Sequence, residues 1–167
     1  MNKRGENMKY VINGIFLTQK ITGVQRYGIE LLKALDNIEY ALDIEVLIPE
    51  YENTNIAFKR LKVIKYGKKS KKIWQQYDYM KYLIKNNAIG ICLSCPAPLF
   101  YNRKCIVVIH DMATCAHPEF YSKKYLLRNK IFMLNGVVKA KKILTVSEFS
   151  KLEIEKYLGI DKNKIDV

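Results

Sequence analysis

The sequence is short of acid. Only 16 Asp and Glu stand against 29 Lys and Arg in 167 residues, a formal net charge of +13. The imbalance makes some of the surface strongly positive, a field that nucleic acid, anionic lipid or a phosphorylated substrate can each exploit. Charge does not choose among them, and codon bias also yields a chain this rich in Lys, Asn and Ile. A second cysteine pair is missing too: Cys92 and Cys95 form C-x-x-C, but Cys105 and Cys115 supply no matching partner for a zinc site. Pro96 and Pro98 follow the motif where a thioredoxin-like site would open a helix, so reduced structural thiols are expected. No apolar run reaches the roughly 18 to 20 residues that span a bilayer. The polar start, Met1 to Met8, gives no signal peptide, and a cytoplasmic location is expected. Helix-turn-helix, zinc-finger and RNP-like patterns are absent, so nucleic acid is not the expected partner. Repeats, low-complexity tracts and linkers are absent as well, and one domain over residues 1–167 is expected.

What is present alternates. Tyr10–Asn13, Leu42–Ile48, Leu61–Lys65, Ile89–Leu93, Cys105–Ile109 and Ile143–Val146 read as six short, β-branched strands. Ile15–Leu17 extends or bulges from the first. Helical spacing marks Val24, Tyr27, Leu31 and Leu35, then Ile73, Tyr77, Met80 and Ile84, then Leu127, Ile131, Leu134 and Val138. The pattern predicts an α/β fold, a Rossmann-like open parallel β-sheet with helices on both faces. Ligands of such sheets sit outside the carboxyl ends of strands, which places His110, Asp111, Ser147 and Glu148 on one rim. His110 is a candidate donor to substrate oxygens, and Asp111 either orients it or ends the strand. Ser147 reads first as a helix N-cap with Glu148 in the first turn, and both are candidate contacts for an acceptor. His117, beside Pro118, reads as a local structural residue. The loop Thr18–Thr22 leads through Gly23 and Val24 into a helix, whose free N–H groups and positive dipole end suit an anion. Gln25 and Arg26 follow as candidate acceptor contacts, Arg26 equally a surface residue.

Three segments in this order resemble a known family. They are Asn13-Gly14 through Ile21-Thr22-Gly23-Val24-Gln25-Arg26-Tyr27, Ile109-His110-Asp111 with His117-Pro118-Glu119-Phe120-Tyr121, and Leu144–Ser150 with Leu158-Gly159-Ile160 and Lys164–Val167. Together they are similar to the amino-terminal domain of family-4 glycosyltransferases, one half of the two-domain GT-B fold. The resemblance implies transfer of a sugar from a nucleotide-sugar to a glycan or lipid-linked acceptor, with retention and with neither metal nor cofactor. It implies that Gly23 and Val24 approach the donor pyrophosphate and that His110 lies beside the transferred sugar. It also implies a carboxy-terminal donor domain, absent from these residues, so the chain alone is expected to be inactive. A non-catalytic partner subunit and a nucleic-acid-binding module are the alternatives. Lys68, Lys69, Lys71 and Lys72 are the expected contributors to docking on an anionic membrane surface, at the periphery of its inner face.

Overall fold

The computed structural model describes residues 8–39, 43–94 and 97–167, without the side chains of Lys72 and Arg103. Residues 1–7, Leu42 at the expected start of the second strand, and Cys95 and Pro96 lie outside that description. The chain divides into two compact units, Met1–Ser94 and Cys95–Val167. The architecture is α/β and Rossmann-like, an open parallel arrangement of strands with accompanying helices.

The first unit runs β1 (Lys9–Asn13), α1 (Gly23–Asn37), β2 (Asp43–Ile48), β3 (Lys62–Lys65), α2 (Lys71–Gln76), α3 (Asp78–Lys85) and β4 (Ile89–Cys92). Its strands lie in the order β3-β2-β1-β4, all parallel, with Val11 opposite both Glu45 and Gly90. Central strands need apolar residues on both faces, and Val11, Val46, Leu47 and Ile48 are fully buried. Beyond Asn13 the backbone does not extend the strand. It turns into a 3-10 helix, Gly14–Thr18, with the Asn13 carboxamide oxygen accepting from the Ile15 N–H at 3.2 Å. A Cβ on Gly14 would lie 2.7 Å from Val46 Cγ1, so the chain can turn this close to β2 only without a side chain.

Helix α1 forms where its spacing places it, with its face rotated by about one residue. Gly28, Ile29, Leu32 and Asp36 are buried, while Leu31, expected in the stripe, is exposed. Gly28 explains the rotation: a Cβ there would meet the buried Phe16 ring at 2.7 Å, so this turn of helix lies flat against Phe16. The Asp36 carboxylate then accepts backbone N–H groups from Lys59 (2.6 Å), Arg60 (2.7 Å) and Leu61 (2.8 Å), fixing the coil that enters β3.

The single helix expected from Ile73 to Ile84 is two. It breaks at Tyr77 (φ −113°, ψ −64°), and the phase resets. Ile73, Tyr77 and Ile84 consequently face solvent, and Trp74, Tyr79 and Leu83 fill the core. Both buried rings satisfy their polar atoms. Trp74 donates to Tyr66 O (2.6 Å), and the Tyr79 hydroxyl donates to Val11 O (2.7 Å) while accepting from Ile91 N (3.1 Å).

The second unit runs β5 (Cys105–Ile109), α4 (Ala113–Ala116), α5 (Lys123–Phe132), β6 (Lys142–Thr145), α6 (Glu148–Leu158) and β7 (Ile165–Asp166). Strands β5, β6 and β7 are parallel neighbours in that order. The two-residue β7 makes a seventh strand where six were expected, too short to leave a periodic signal. The long helix after Pro118 is a 3-10 turn (Pro118–Phe120), then α5, then a π turn (Met133–Val137). Its expected buried stripe is not buried: Leu127 and Ile131 are exposed, and Leu134, also exposed, joins Leu126, Asn129 and Met133 in lining an inner groove of about 350 Å³ with Tyr157 and Leu158 of α6. Cys92 and Cys105 are buried thiols on β4 and β5.

Candidate functional site

In the second unit the rim is built on the register that sets Ile109 opposite Thr145 as the last residues of β5 and β6. His110 and Asp111 follow one strand, Val146 and Ser147 the other. Thr145 donates its hydroxyl to Ile109 O at 2.8 Å, and Ser150 donates to His110 O at 3.2 Å. Ser147 caps α6, its oxygen accepting the Ser150 N–H at 3.1 Å while its hydroxyl donates to Ser150 Oγ at 3.1 Å. Two consecutive carbonyls at the end of β5 are thus held by hydroxyls from β6 and α6, which fixes the backbone that carries the half-buried His110. Asp111 is exposed, and its Oδ1 accepts the Ala113 N–H (3.0 Å) to open α4. Glu148 is exposed in the first turn of α6, where its charge opposes the positive end of the helix dipole. His117 pairs with Glu119 at 3.3 Å and stacks on Phe120, a local role in an exposed loop.

Thr145 and Ser150 lie in the Leu144–Ser150 segment but had no role of their own from sequence, although both are buried and hold the rim. Their signal was positional: the last residue of a strand, and the residue three beyond an N-cap serine.

In the first unit the equivalent edge is the loop between Thr18 and α1. Gly23, Val24, Gln25 and Arg26 occupy the first turn of α1, a helix of 15 residues. No atom lies within 4 Å of where a Cβ on Gly23 would stand, so the space over this turn is open. Gln25 locks the loop: its Oε1 accepts from the Thr22 N–H (3.2 Å) and from the Thr22 hydroxyl, and its Nε2 donates to Gln19 (2.9 Å). That engagement spends much of the side chain on the turn itself. Val24 is half-buried and Arg26 exposed, with no acidic partner for Arg26 among the described residues.

The lysine run before α2 is partly neutralised. Lys71 pairs with Glu52 (2.8 Å) and also donates to Thr18 O (3.3 Å), Lys68 lies 3.7 Å from Glu50, and Lys69 sits 5.8 Å from the centre of the Tyr77 ring. A buried polar group lies elsewhere in this unit. Glu45, on β2, accepts from Lys9 (2.9 Å) and from the Tyr82 hydroxyl (2.7 Å). Burial, and then the Glu45 carboxylate, push the Tyr82 phenol well above its ordinary range, and Lys9's own hydrogen bond to Glu45 raises Lys9. These groups knit β1, β2 and α3 together.

Among the described residues, no three His, Cys, Asp or Glu side chains are grouped to hold a metal ion, and no helix is long and apolar enough to cross a membrane. The chain matches no protein-family model, and comparison with curated proteins gives no significant match.

Proposed function

We propose that the chain is the acceptor-side half of a retaining glycosyltransferase, taking part in the transfer of a sugar from a nucleotide-sugar to a glycan or lipid-linked acceptor at the inner membrane face. The observation that carries the reading is the open space over Gly23 at the start of the helix that follows β1. Backbone N–H groups of a first helical turn have no intrahelical partner, and the dipole adds positive charge where a diphosphate would settle. A departing nucleoside diphosphate gains charge in the transition state, and one preorganised donor of this kind is worth about 3 kcal/mol. His110, on a backbone pinned by Ser150, supplies a donor for sugar or phosphate oxygens. Asp111 ends the strand and sets the turn, while Arg26, Ser147 and Glu148 are the acceptor-side candidates. In this reading the nucleoside is held mainly by a further domain.

Gly23→Ala tests the reading cleanly, because the methyl group meets nothing in the protein and yet fills the space assigned to phosphate. UDP, GDP and inorganic pyrophosphate are titrated calorimetrically into the wild type and the variant. The expected result is diphosphate binding that weakens at least tenfold with unchanged thermal stability. Equal affinity for the two proteins, or no diphosphate binding at all, would overturn the assignment. Sugar transfer by the 167 residues alone is expected to be undetectable, and turnover would contradict the division of labour.

A further inference from the structure

Helix α5 carries its apolar stripe outward. Leu127 is 64% exposed and Ile131 46%, and, four residues apart, they share one face of the helix. At 100° per residue, Lys123 and Lys130 fall on one side of that face, Lys124 and Arg128 on the other. The ten residues Lys123–Phe132 contain no acid, and none of these four cations forms an ion pair among the described residues. Tyr125, Leu127, Arg128 and Ile131 border an outward groove of about 540 Å³, and the Arg128 guanidinium lies 5.3 Å from the Tyr125 ring centre. Neither feature stabilises the isolated protein. Exposed aliphatics gain nothing in water, and Lys123 and Lys124 sit in the first turn, where the helix dipole opposes positive charge.

We infer that α5 is a membrane-docking helix that lies in the plane of an anionic lipid surface, with Leu127 and Ile131 in the acyl boundary and the flanking cations among the headgroups. An interface of anionic lipid reverses both penalties at once, burying the stripe and neutralising cations on either side of it. A second copy of the chain is disfavoured as the occupant because it would bring four unpaired cations against four. Lys68 and Lys71, the residues that sequence suggested, already have Glu50 and Glu52 as neighbours. The inference does not depend on the sugar-transfer reading.

Cosedimentation with vesicles of phosphatidylcholine, alone or mixed with phosphatidylglycerol, tests it on the 167-residue chain. The wild type is expected to bind the anionic vesicles and to leave the zwitterionic ones. Lys124→Gln with Arg128→Gln lowers partitioning about 25-fold, from roughly fivefold per cation. Leu127→Asn with Ile131→Asn lowers it roughly tenfold or more, at low and at high salt. Lys68→Gln with Lys69→Gln changes it less than either. All three are surface changes, and circular dichroism checks that each variant keeps the wild-type fold. Binding without preference for anionic lipid, α5 variants that bind like the wild type, or a Lys68 and Lys69 variant that loses as much as they do would overturn the inference. So would a concentration-dependent dimer in sedimentation velocity that disappears with Leu127→Asn and Ile131→Asn, since the face would then belong to a second copy.

Discussion

Replacing Thr145 with Val keeps the shape of the side chain and deletes one donor at the end of β6. The hydroxyl it removes lies 2.8 Å from Ile109 O, at a residue only 5% exposed. Losing a neutral hydrogen bond of this kind costs about 1 kcal/mol, and an under-satisfied buried carbonyl moves the figure upward. Ser150→Ala removes the donor to the next carbonyl, His110 O, at similar cost. The two variants free adjacent carbonyls, those of Ile109 and His110 where β5 ends, so their effects should not add, with a coupling of about 0.5 kcal/mol or more in a double-mutant cycle. Urea unfolding followed by circular dichroism measures all four proteins. Each single variant is expected to lower the midpoint without changing the slope, equivalent to a fall in Tm of about 2–4 °C per kcal/mol. A Thr145→Val protein within about 0.3 kcal/mol of the wild type, or strictly additive losses, would refute the idea that these hydroxyls pin the His110 backbone.

Gly28→Ala should cost about 1–3 kcal/mol, since the new methyl group would stand 2.7 Å from the buried Phe16 ring, and thermal melts beside Gly23→Ala should show the loss at position 28 alone. At Asp36 burial pushes the carboxyl upward, but the N–H groups of Lys59, Leu61 and Arg60 outweigh it and hold the group below its ordinary 3.8. Its contribution is therefore complete above that value and is lost as pH falls through the lower folded one. The stability gap between wild type and Asp36→Asn should close on acidification; a gap that stays constant to the acid limit would contradict this. Tyr82 should be among the last phenols to ionise in an ultraviolet alkaline titration, because burial and Glu45 both disfavour the phenolate. Its contribution to stability is present below the ordinary value of 10.0 and is lost as pH rises through the elevated one, and Tyr82→Phe should remove that late-titrating phenol.

Strands were the most legible part of the fold, because buried parallel strands are short β-branched runs bounded by polar residues. Cys105–Ile109 has the extent its composition suggests. Helix positions were legible too, but not which face is buried. A spacing of three and four marks a line on a helix without saying what packs there. On α1 the line is shifted by Gly28 against Phe16, on α2 and α3 it is reset at Tyr77, and on α5 it faces solvent. At the rim, periodicity and strand ends located His110, Asp111, Ser147 and Glu148, and cap chemistry predicted the role of Ser147. The roles of Asp36, Thr145 and Ser150 are not legible from spacing, because their partners are backbone groups 23 to 40 residues away, a proximity that only the folded chain creates.

Amide NMR of the labelled chain during titration with UDP tests the proposed donor-side chemistry residue by residue. The proposal expects saturable shifts at the Gly23 and Val24 amides, lost in Gly23→Ala, with a separate response at the His110 ring. Shifts confined to exposed lysines, with residues 23 and 24 unmoved at saturation, would contradict it.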